Sequence, residues 1–220
     1  MPRDLSNPIT CLITTGATTE GTTPESAEFG ALLDLVARAA RAGVTLVQLR
    51  EKRLAARVLY ELAARAADIT RASDTRLLVN DRADIARASG CDGVHLTAQS
   101  LAPSTVRRAF GTDLLIGASA HSLEEARAAR DGGADFCVLG PVFDTPSKLP
   151  FGPPLGLDRL RAAVLALAPF PLLAIGGVTT ENAGALLRAG AAGVAAIRMF
   201  ADSADLRATV SAVVRAGGRA

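Results

Sequence analysis

The stretch RLLVNDRADIARASGCDGVHLT, residues 76–97, decides the fold. It opens with an apolar run of strand length (76–80), continues through an Ala- and Arg-rich segment with helical spacing, and reaches Gly90 just before a second apolar run (93–97). A glycine at this place is typical of the left-handed cap that ends a helix. The stretch therefore predicts one unit of strand, helix, glycine cap and strand.

The same unit recurs along the chain. Segments rich in Ala, Leu and Arg with helical spacing separate the apolar runs, and glycine precedes a run again at Gly43, Gly132 and Gly190. The eight runs of strand length are CLITT (11–15), VTLVQLR (44–50), RLLVN (76–80), GVHLT (93–97), LLIGAS (114–119), FCVLGPVF (136–143), PLLAIG (171–176) and GVAAIRM (193–199). Strands that alternate strictly with helices imply right-handed crossovers and a parallel sheet, and eight such units fit a closed (β/α)8 barrel.

A doubly wound open sheet is the alternative α/β architecture. No G-x-G-x-x-G motif follows the first run, and eight evenly spaced units are more than most open sheets use. No linker or shift in composition divides the chain. We therefore expect an α/β fold in which residues 1–220 form a single (β/α)8 TIM barrel domain.

Composition excludes several classes of protein. A content of 49% hydrophobic residues is enough for a large core, which excludes a disordered chain. The net charge of +2, from 24 Lys plus Arg against 22 Asp plus Glu, is too small for a general nucleic-acid binder. Residues 1–10 lack the layout of a signal peptide, and Pro169 and Pro171 break the longest apolar stretch, so we expect no membrane span.

Cysteine usage indicates a reducing compartment. The chain has three cysteines and no C-x-x-C pair. An odd count without such a pair argues against both a disulfide framework and a zinc site. We expect buried thiols and a cytoplasmic protein.

A (β/α)8 barrel places its reaction space at the C-terminal ends of the strands, whereas the opposite end serves stability. Lysine is rare in this chain, since all but Lys52 and Lys148 of the 24 basic residues are Arg, and a retained lysine indicates a place that needs a compact ammonium. Both lysines and both histidines fall on this rim. The residues collected on this rim are Gln48, Arg50, Lys52, Asn80, Asp81, His95, Thr97, Ser119, His121, Thr145, Ser147, Lys148, Gly176, Gly177, Ile197 and Arg198.

Gln48, Arg50 and Lys52 alternate along an extended segment, so their side chains are expected to point to one side. Two cations and an amide aimed into a barrel mouth indicate a polyanionic ligand, because unpaired buried charge is costly. The alternative is an ion pair with Glu51, which the alternation disfavours because successive strand residues face opposite ways.

Asn80 and Asp81 end the third predicted strand, just before Arg82 opens a helix. A carboxylate that faces the cations is able to hold Mg²⁺, which bridges phosphate oxygens. Asp is also favoured as a helix N-cap, so the dipeptide alone leaves both interpretations open.

Gly176 and Gly177 follow the seventh strand, and a helix is predicted to begin near Glu181. Exposed backbone N–H groups there match the phosphate site that barrels often build after strands seven and eight; a helix-capping turn is the alternative.

Residues 140–156 form a long Pro- and Gly-rich loop, which we predict to be a lid (144–155) that brings Lys148 over the ligand. Residues 16–24 form either a second flap or a plain surface loop.

His121, with Ser119, stands at the end of the fifth strand. An imidazole can move a proton near neutral pH, although a histidine held by a structural hydrogen bond is the commoner case. His95 lies within a strand and is expected to be structural.

The sequence has no G-x-S-x-G, H-E-x-x-H or Walker motif, so serine hydrolase, zinc protease and P-loop chemistry have no support.

Six ordered motifs resemble the thiamine phosphate synthase family over nearly the whole chain. They are GVTLVQLREK (43–52), LLVND (77–81), GVHL (93–96), IGASAHS (116–122), GPVFDTPSK (140–148) and AIGGVT (174–179). Synthases of this family join hydroxymethylpyrimidine diphosphate to thiazole phosphate and release pyrophosphate. The resemblance therefore implies small phosphorylated partners and leaves a homo-oligomer open. The implied roles are Gln48, Arg50, Lys52 and Asn80 around the pyrimidine diphosphate, Asp81 on Mg²⁺, Ser119 near the reacting groups, Thr145, Ser147 and Lys148 on phosphates, and Gly177 along the thiazole phosphate.

The chain departs from the family pattern at three places. Ser100 stands where synthases carry a second metal-binding Asp, Arg198 stands where the phosphate turn after strand eight has a small serine, and FGPPLG (151–156) follows the predicted lid lysine. The lost Asp, the insertion and His121 within AHSLEEA (120–126) resemble the thiazole tautomerase branch of the same superfamily, which shares the barrel.

Three functional hypotheses follow. We predict a synthase, because Gln48, Lys52 and Asp81 are residues that a metal-free proton shuttle does not need. The alternative is a tautomerase in which His121 is the general acid/base that aromatises thiazole phosphate carboxylate. The third is a catalytically silent barrel that binds thiamine precursors or a regulatory partner.

Overall fold

The computed structural model describes residues 8–145 and 153–218. Eight parallel strands close into a barrel in chain order, so that β8 pairs with β1. The predicted (β/α)8 barrel is confirmed. The strands are β1 (Ile9–Ile13), β2 (Leu46–Leu49), β3 (Arg76–Asn80), β4 (Gly93–Leu96), β5 (Leu115–Ala120), β6 (Phe136–Leu139), β7 (Leu172–Ile175) and β8 (Gly193–Ala196).

Helices follow the strands and surround the barrel. Helix α1 shows why: Phe29, Leu32 and Val36 lie on one face and are buried against the sheet. The helices are α1 (Ala27–Ala42), α2 (Ala56–Thr70), α3 (Ala83–Ala88), α4 (Pro103–Phe110), α5 (Leu123–Asp131), α6 (Gly156–Leu167), α7 (Ala183–Arg188), α8 (Arg198–Ala201) and α9 (Leu206–Gly217).

The alternation of side chains along each strand builds two cores. In β2, Leu46 points into the barrel, whereas Val47 and Leu49 pack outward against the helices. The same period of two turns Gln48 inward, above Leu46, where the barrel opens toward its C-terminal mouth. The strand pattern thus delivers a polar side chain to the mouth.

Several element ends differ from the prediction. The sixth strand ends at Leu139 rather than at 143, and the eighth at Ala196 rather than at 199, because Pro141 has no N–H to continue a ladder and Arg198 begins α8. Helix α7 begins at Ala183, two residues after the predicted start. The left-handed glycine after α5 is Gly133, with φ +87°, and not Gly132.

Carboxylates at the N-terminal end of the barrel serve the fold. Asp135, just before β6, accepts a hydrogen bond from the Ile116 N–H at 2.7 Å and pairs with Arg107 at 2.8 Å. Asp92, just before β4, accepts from the Leu77 N–H at 2.9 Å. These acids satisfy backbone groups at the end of the barrel opposite the mouth, as expected for the end that serves stability.

Cys11, Cys91 and Cys137 are free and buried, as predicted. Burial raises the pKa of the Cys11 thiol to about 12, so this thiol stays protonated at neutral pH. Among the described residues, no helix is both long and apolar enough to cross a membrane.

Candidate active site

A cavity of about 530 Å³ opens at the C-terminal mouth of the barrel. This volume lies in the range of small-molecule sites. Thirteen of the sixteen predicted rim residues line it: Gln48, Arg50, Lys52, Asn80, His95, Thr97, Ser119, His121, Thr145, Gly176, Gly177, Ile197 and Arg198. Asp81 lies beside it, bonded to Asn80. Ser147, Lys148 and most of the predicted lid lie outside the described residues.

A chain of three polar side chains fixes the orientation of Gln48. The Asp81 carboxylate is only an acceptor, so the amide nitrogen of Asn80 faces it, at 2.7 Å. The Asn80 oxygen therefore accepts from Gln48 Nε2, at 2.9 Å. This leaves Gln48 Oε1 as a buried acceptor with no hydrogen-bond partner among the described residues. A buried acceptor of this kind at a cavity wall is suited to an N–H or O–H group of a ligand.

Arg50 and Lys52 both line the cavity, whereas Glu51 between them turns away from it and is buried. The Glu51 carboxylate binds residues of the loop after β1, including Thr14 and Thr18. The alternative of an ion pair between Glu51 and its neighbours is therefore wrong. No acidic residue is among the described residues that line the cavity, and Lys52 and Arg198 are exposed at its mouth.

Asp81 has the left-handed backbone angle φ +62°, and its N–H donates to the His95 carbonyl at 2.9 Å. Its carboxylate accepts hydrogen bonds from the Thr97 hydroxyl at 3.3 Å and from the Ser100 hydroxyl. Because α3 begins at Ala83 and Asp81 binds these hydroxyls instead, the interpretation as a helix N-cap is not supported. The carboxylate thus lies against Asn80 and Thr97, two residues that line the cavity.

His95 is buried inside the barrel, and its Nε2 lies 2.8 Å from the Ser119 hydroxyl oxygen. Its Nδ1 has no hydrogen-bond partner within the described part of the chain and lies against Gly117, where a Cβ would come within 2.8 Å. His95 and Ser119 thus share one hydrogen bond, and both residues line the cavity.

Burial lowers the pKa of His95 to about 4, although the nearby Asp81 carboxylate raises it slightly. The unfolded chain takes up this proton near pH 6.5, whereas the native state does so only near pH 4, so stability falls as pH falls between these values. We expect a loss of about 3 kcal/mol in the free energy of unfolding over this window. Chemical denaturation at several pH values measures it. His95→Gln should remove this component, and the exposed control His121→Gln should retain it; equal slopes in both variants would contradict the assignment.

His121 lies on the rim, exposed, with Nδ1 2.5 Å from the Gly140 carbonyl oxygen. Its own N–H donates to Glu125, which fixes the start of α5. One ring nitrogen is thus hydrogen-bonded to the backbone. This is the structural role that is the commoner one for a histidine. The ring still lines the cavity, so its other nitrogen is available to a ligand.

The paired glycines after β7 have a packing reason that the sequence did not reveal. Both have positive φ, and a Cβ would meet Pro141 Cβ at 2.5 Å from Gly176, and the Asp144 carbonyl oxygen at 2.7 Å from Gly177. The Phe143 N–H also donates to the Gly176 carbonyl at 3.1 Å. The loop after β6 therefore lies directly on this turn, and the glycines form the contact between them.

Gly177→Ala should lower the free energy of unfolding by about 1–2 kcal/mol from the left-handed backbone alone, with the contact to Asp144 adding to the loss. Activity should fall too, because the displaced loop borders the cavity. Gly30→Ala is the control, since Gly30 is exposed in α1 and its added Cβ meets nothing within 4 Å. Thermal unfolding and turnover of both variants check this; a Gly177→Ala protein as stable and active as Gly30→Ala would contradict it.

Residues that sequence reasoning missed form the apolar floor of the cavity. Ile13, Val138 and Ile175 lie at the ends of β1, β6 and β7, and all point inward. Met199 of α8 adds to the wall. The period-two pattern of each strand carries the signal for the first three, but only barrel closure brings their ends together.

The site has one dominant electrostatic feature. Three cations, Arg50, Lys52 and Arg198, line one cavity although they lie about 150 residues apart in the sequence. The same cavity contains the buried free amide oxygen of Gln48. Backbone of the β7–α7 turn lines the same space. Fold and site together define a (β/α)8 barrel enzyme that handles small phosphorylated molecules.

Comparison with known proteins specifies the family. The family model of thiamine monophosphate synthase matches residues 21–200. A thiamine-phosphate synthase of Chlorobium luteolum is 42% identical over 191 residues, covering 87% of this chain and 84% of that protein. A thiamine-phosphate synthase of Moorella thermoacetica is 39% identical over 191 residues, covering 85% and 90%. The solved thiamine phosphate pyrophosphorylase of Pyrococcus furiosus superposes with a TM-score of 0.79 at 30% identity, covering 97% and 98%. This chain belongs to the thiamine monophosphate synthase family.

Proposed function

We propose that this enzyme transfers the hydroxymethylpyrimidine group from its diphosphate to the nitrogen of thiazole phosphate, and releases pyrophosphate. One observation carries the proposal: the cations Arg50, Lys52 and Arg198 face a cavity that no acid lines among the described residues. Such a cavity favours ligands with several negative charges. A diphosphate and a phosphate together supply that charge.

Arg50 and Lys52 are suited to the departing diphosphate. In the reaction, the bond between the pyrimidine methylene carbon and the diphosphate oxygen breaks, and its electron pair goes to that oxygen. Cations already in position stabilise this developing charge more than they stabilise the substrate, which lowers the barrier. The thiazole nitrogen lone pair then forms the new C–N bond to the methylene carbon. Holding both substrates in one cavity makes that capture effectively intramolecular.

Gln48 is suited to the pyrimidine. Its free Oε1 accepts hydrogen bonds, and the amino group of the pyrimidine donates them. Ser119, which His95 holds by a hydrogen bond, offers a hydroxyl group from β5. The acceptor and the hydroxyl group together orient a flat polar ring, while Ile13 and Ile175 supply apolar contact. The turn at Gly176 and Gly177 lies on the side that the family resemblance assigns to thiazole phosphate.

The residues around Asp81 fit Mg²⁺. One carboxylate with two hydroxyls beside it, Thr97 and Ser100, is an all-oxygen set, and Mg²⁺ is commonly held by one or two carboxylates with substrate phosphates and water. The described residues contain no group of three or more acidic, His or Cys side chains that could hold a metal by themselves. Asp81 would therefore hold the ion together with the diphosphate. The bound ion supplies further neutralisation of the leaving group.

A direct assay tests the proposal. Purified protein with MgCl₂ and both phosphorylated substrates should release pyrophosphate and thiamine phosphate in equal amounts, and EDTA should stop both. Release of neither product by protein that is shown to be folded would refute the synthase.

Besides the sequence departures at Ser100 and 151–156, His121 favours the second candidate, the thiazole tautomerase, because it lines the cavity and only one of its ring nitrogens is bound to the Gly140 carbonyl. Aromatisation of thiazole phosphate carboxylate, insensitive to EDTA and abolished by His121→Ala, would establish that activity instead. Against it, the relatives from Chlorobium luteolum and Moorella thermoacetica are named thiamine-phosphate synthases. No feature of the described residues favours the silent binding barrel.

A further inference from the structure

Glu51 is a buried carboxylate with an unusual set of partners. Its exposed fraction is 2%. It accepts hydrogen bonds from the Thr14 hydroxyl at 2.6 Å, the Gly16 N–H at 3.2 Å, the Thr18 N–H at 3.3 Å and the Thr18 hydroxyl at 2.6 Å. Four donors match the approximately four acceptor sites of an ionised carboxylate. Glu51 is thus held by hydrogen bonds from neutral groups, all of which come from the loop after β1.

The same loop holds the backbone that carries the cations. The Thr14 hydroxyl donates to Glu51 and accepts from the Arg50 N–H at 2.8 Å. The Thr14 N–H donates to the Gln48 carbonyl at 3.0 Å. A Cβ on Gly16, whose φ is +73°, would come within 3.2 Å of the Arg50 carbonyl oxygen. The loop after β1 therefore contacts the Arg50 backbone at its N–H, through Thr14, and at its carbonyl oxygen, through Gly16.

We infer that Glu51 is a positioning residue for diphosphate binding, which rests on the proposed function. Glu51 faces away from the cavity, while Arg50 and Lys52 on either side of it line the cavity. Its four hydrogen bonds fix the orientation of residue 51, and with it the two peptide groups that join Glu51 to Arg50 and to Lys52. The cations are then preorganised, and little ordering of the chain remains for the moment when the diphosphate binds. Glu51 touches no ligand and acts through its neighbours.

Glu51→Gln disrupts the hydrogen bonds that position Arg50 and Lys52, with little change in side-chain volume. The amide oxygen can still accept from Thr14 and Gly16, but the amide nitrogen would face the Thr18 N–H, and two donors do not bond. Glu20→Gln is the matched control, because Glu20 is an exposed glutamate in the same loop. Thr18→Val is a milder variant that removes one hydroxyl donor, and Thr18→Ser restores that donor.

Calorimetric titration with inorganic pyrophosphate and MgCl₂ tests the inference. Glu51→Gln should bind pyrophosphate about tenfold or more weakly than wild type, Thr18→Val should shift in the same direction, and Glu20→Gln and Thr18→Ser should match wild type. Unchanged affinity in Glu51→Gln and Thr18→Val would overturn the inference. If wild type itself fails to bind pyrophosphate, the proposed function falls first, so the two failures are distinguishable. Should Glu51→Gln fail to fold, the pair at Thr18 decides.

Kinetics and a double mutant separate positioning from general loosening of the fold. The KM for the pyrimidine diphosphate should rise in Glu51→Gln, while the KM for thiazole phosphate stays unchanged. In an Arg50→Ala/Lys52→Ala background, Glu51→Gln should have no further effect on pyrophosphate affinity, since its action passes through those two residues. Equal rises in both KM values, or full additivity with the double alanine variant, would contradict positioning.

Discussion

Replacing Lys52 by alanine is expected to lower kcat/KM for thiamine phosphate formation by about 10²–10³-fold. The ammonium lines the cavity, and no acid among the described lining residues neutralises it, so its charge is available to the diphosphate. Its contribution grows as the C–O bond breaks and charge collects on the leaving group. The loss should therefore appear mainly in kcat, with a smaller change in KM.

Lys52→Arg tests the reason why lysine is kept here. The charge is unchanged, but a planar guanidinium is larger and distributes its donors differently from a compact ammonium. We expect a loss of about tenfold or more, intermediate between wild type and Lys52→Ala. Lys148→Arg is expected to do the same; that residue lies outside the described residues, and its role stays a prediction from the sequence.

The control for both changes is Arg53→Ala. Arg53 is exposed, follows Lys52 directly and does not line the cavity. Steady-state rates of pyrophosphate release with saturating Mg²⁺ compare the variants. Near wild-type rates in Lys52→Arg and Lys148→Arg would mean that the rarity of lysine in this chain is accidental.

Asp81→Asn is expected to reduce kcat/KM by about 10²-fold or more and to raise the Mg²⁺ concentration needed for half-maximal rate. Asn keeps the size of the side chain and tolerates the left-handed backbone at φ +62°. It removes only the negative charge and places an amide nitrogen or a neutral oxygen toward Asn80. The defect should therefore reflect loss of the carboxylate and not strain.

A binding measurement separates the metal from the rest of the chemistry. In wild type, MgCl₂ should tighten the binding of pyrophosphate, and in Asp81→Asn it should do so far less. Asp84→Asn is the control, because Asp84 is an exposed acid on α3 that pairs with Arg82 and does not line the cavity. If Mg²⁺ enhances pyrophosphate binding equally in Asp81→Asn and wild type, Asp81 does not hold the ion.

The sequence determined the barrel and the identity of most residues around the mouth. Periods of two in the strands and glycine before the next strand are local signals, so they survive without knowledge of the partner strands. Counting eight such units then places every strand end on one rim. Gln48, Arg50 and Lys52 were therefore predicted to face one cavity from their alternation alone, and all three line it.

Local signals failed where the deciding contact comes from a distant segment. The glycine after α5 with positive φ is Gly133 and not Gly132, since two adjacent glycines leave the choice to the packing around them. Gly176 and Gly177 are predicted to form a phosphate turn, which stays a prediction, and the sequence does not indicate that the loop after β6 packs directly on both. A pair of glycines in the sequence does not show whether a ligand or another backbone segment contacts it.

Only the tertiary structure decided what each polar group at the mouth does. The free oxygen of Gln48 follows from a hydrogen-bond chain through Asn80 to Asp81, and the neutral state of His95 follows from its burial inside the closed barrel. Glu51 lies between two cations in sequence, yet its partners are hydroxyls and amides more than 30 residues away. The alternation of side chains along a strand predicts which way each side chain points. What it meets there depends on barrel closure, because hydrogen-bond direction and proton affinity are set by neighbours from other strands.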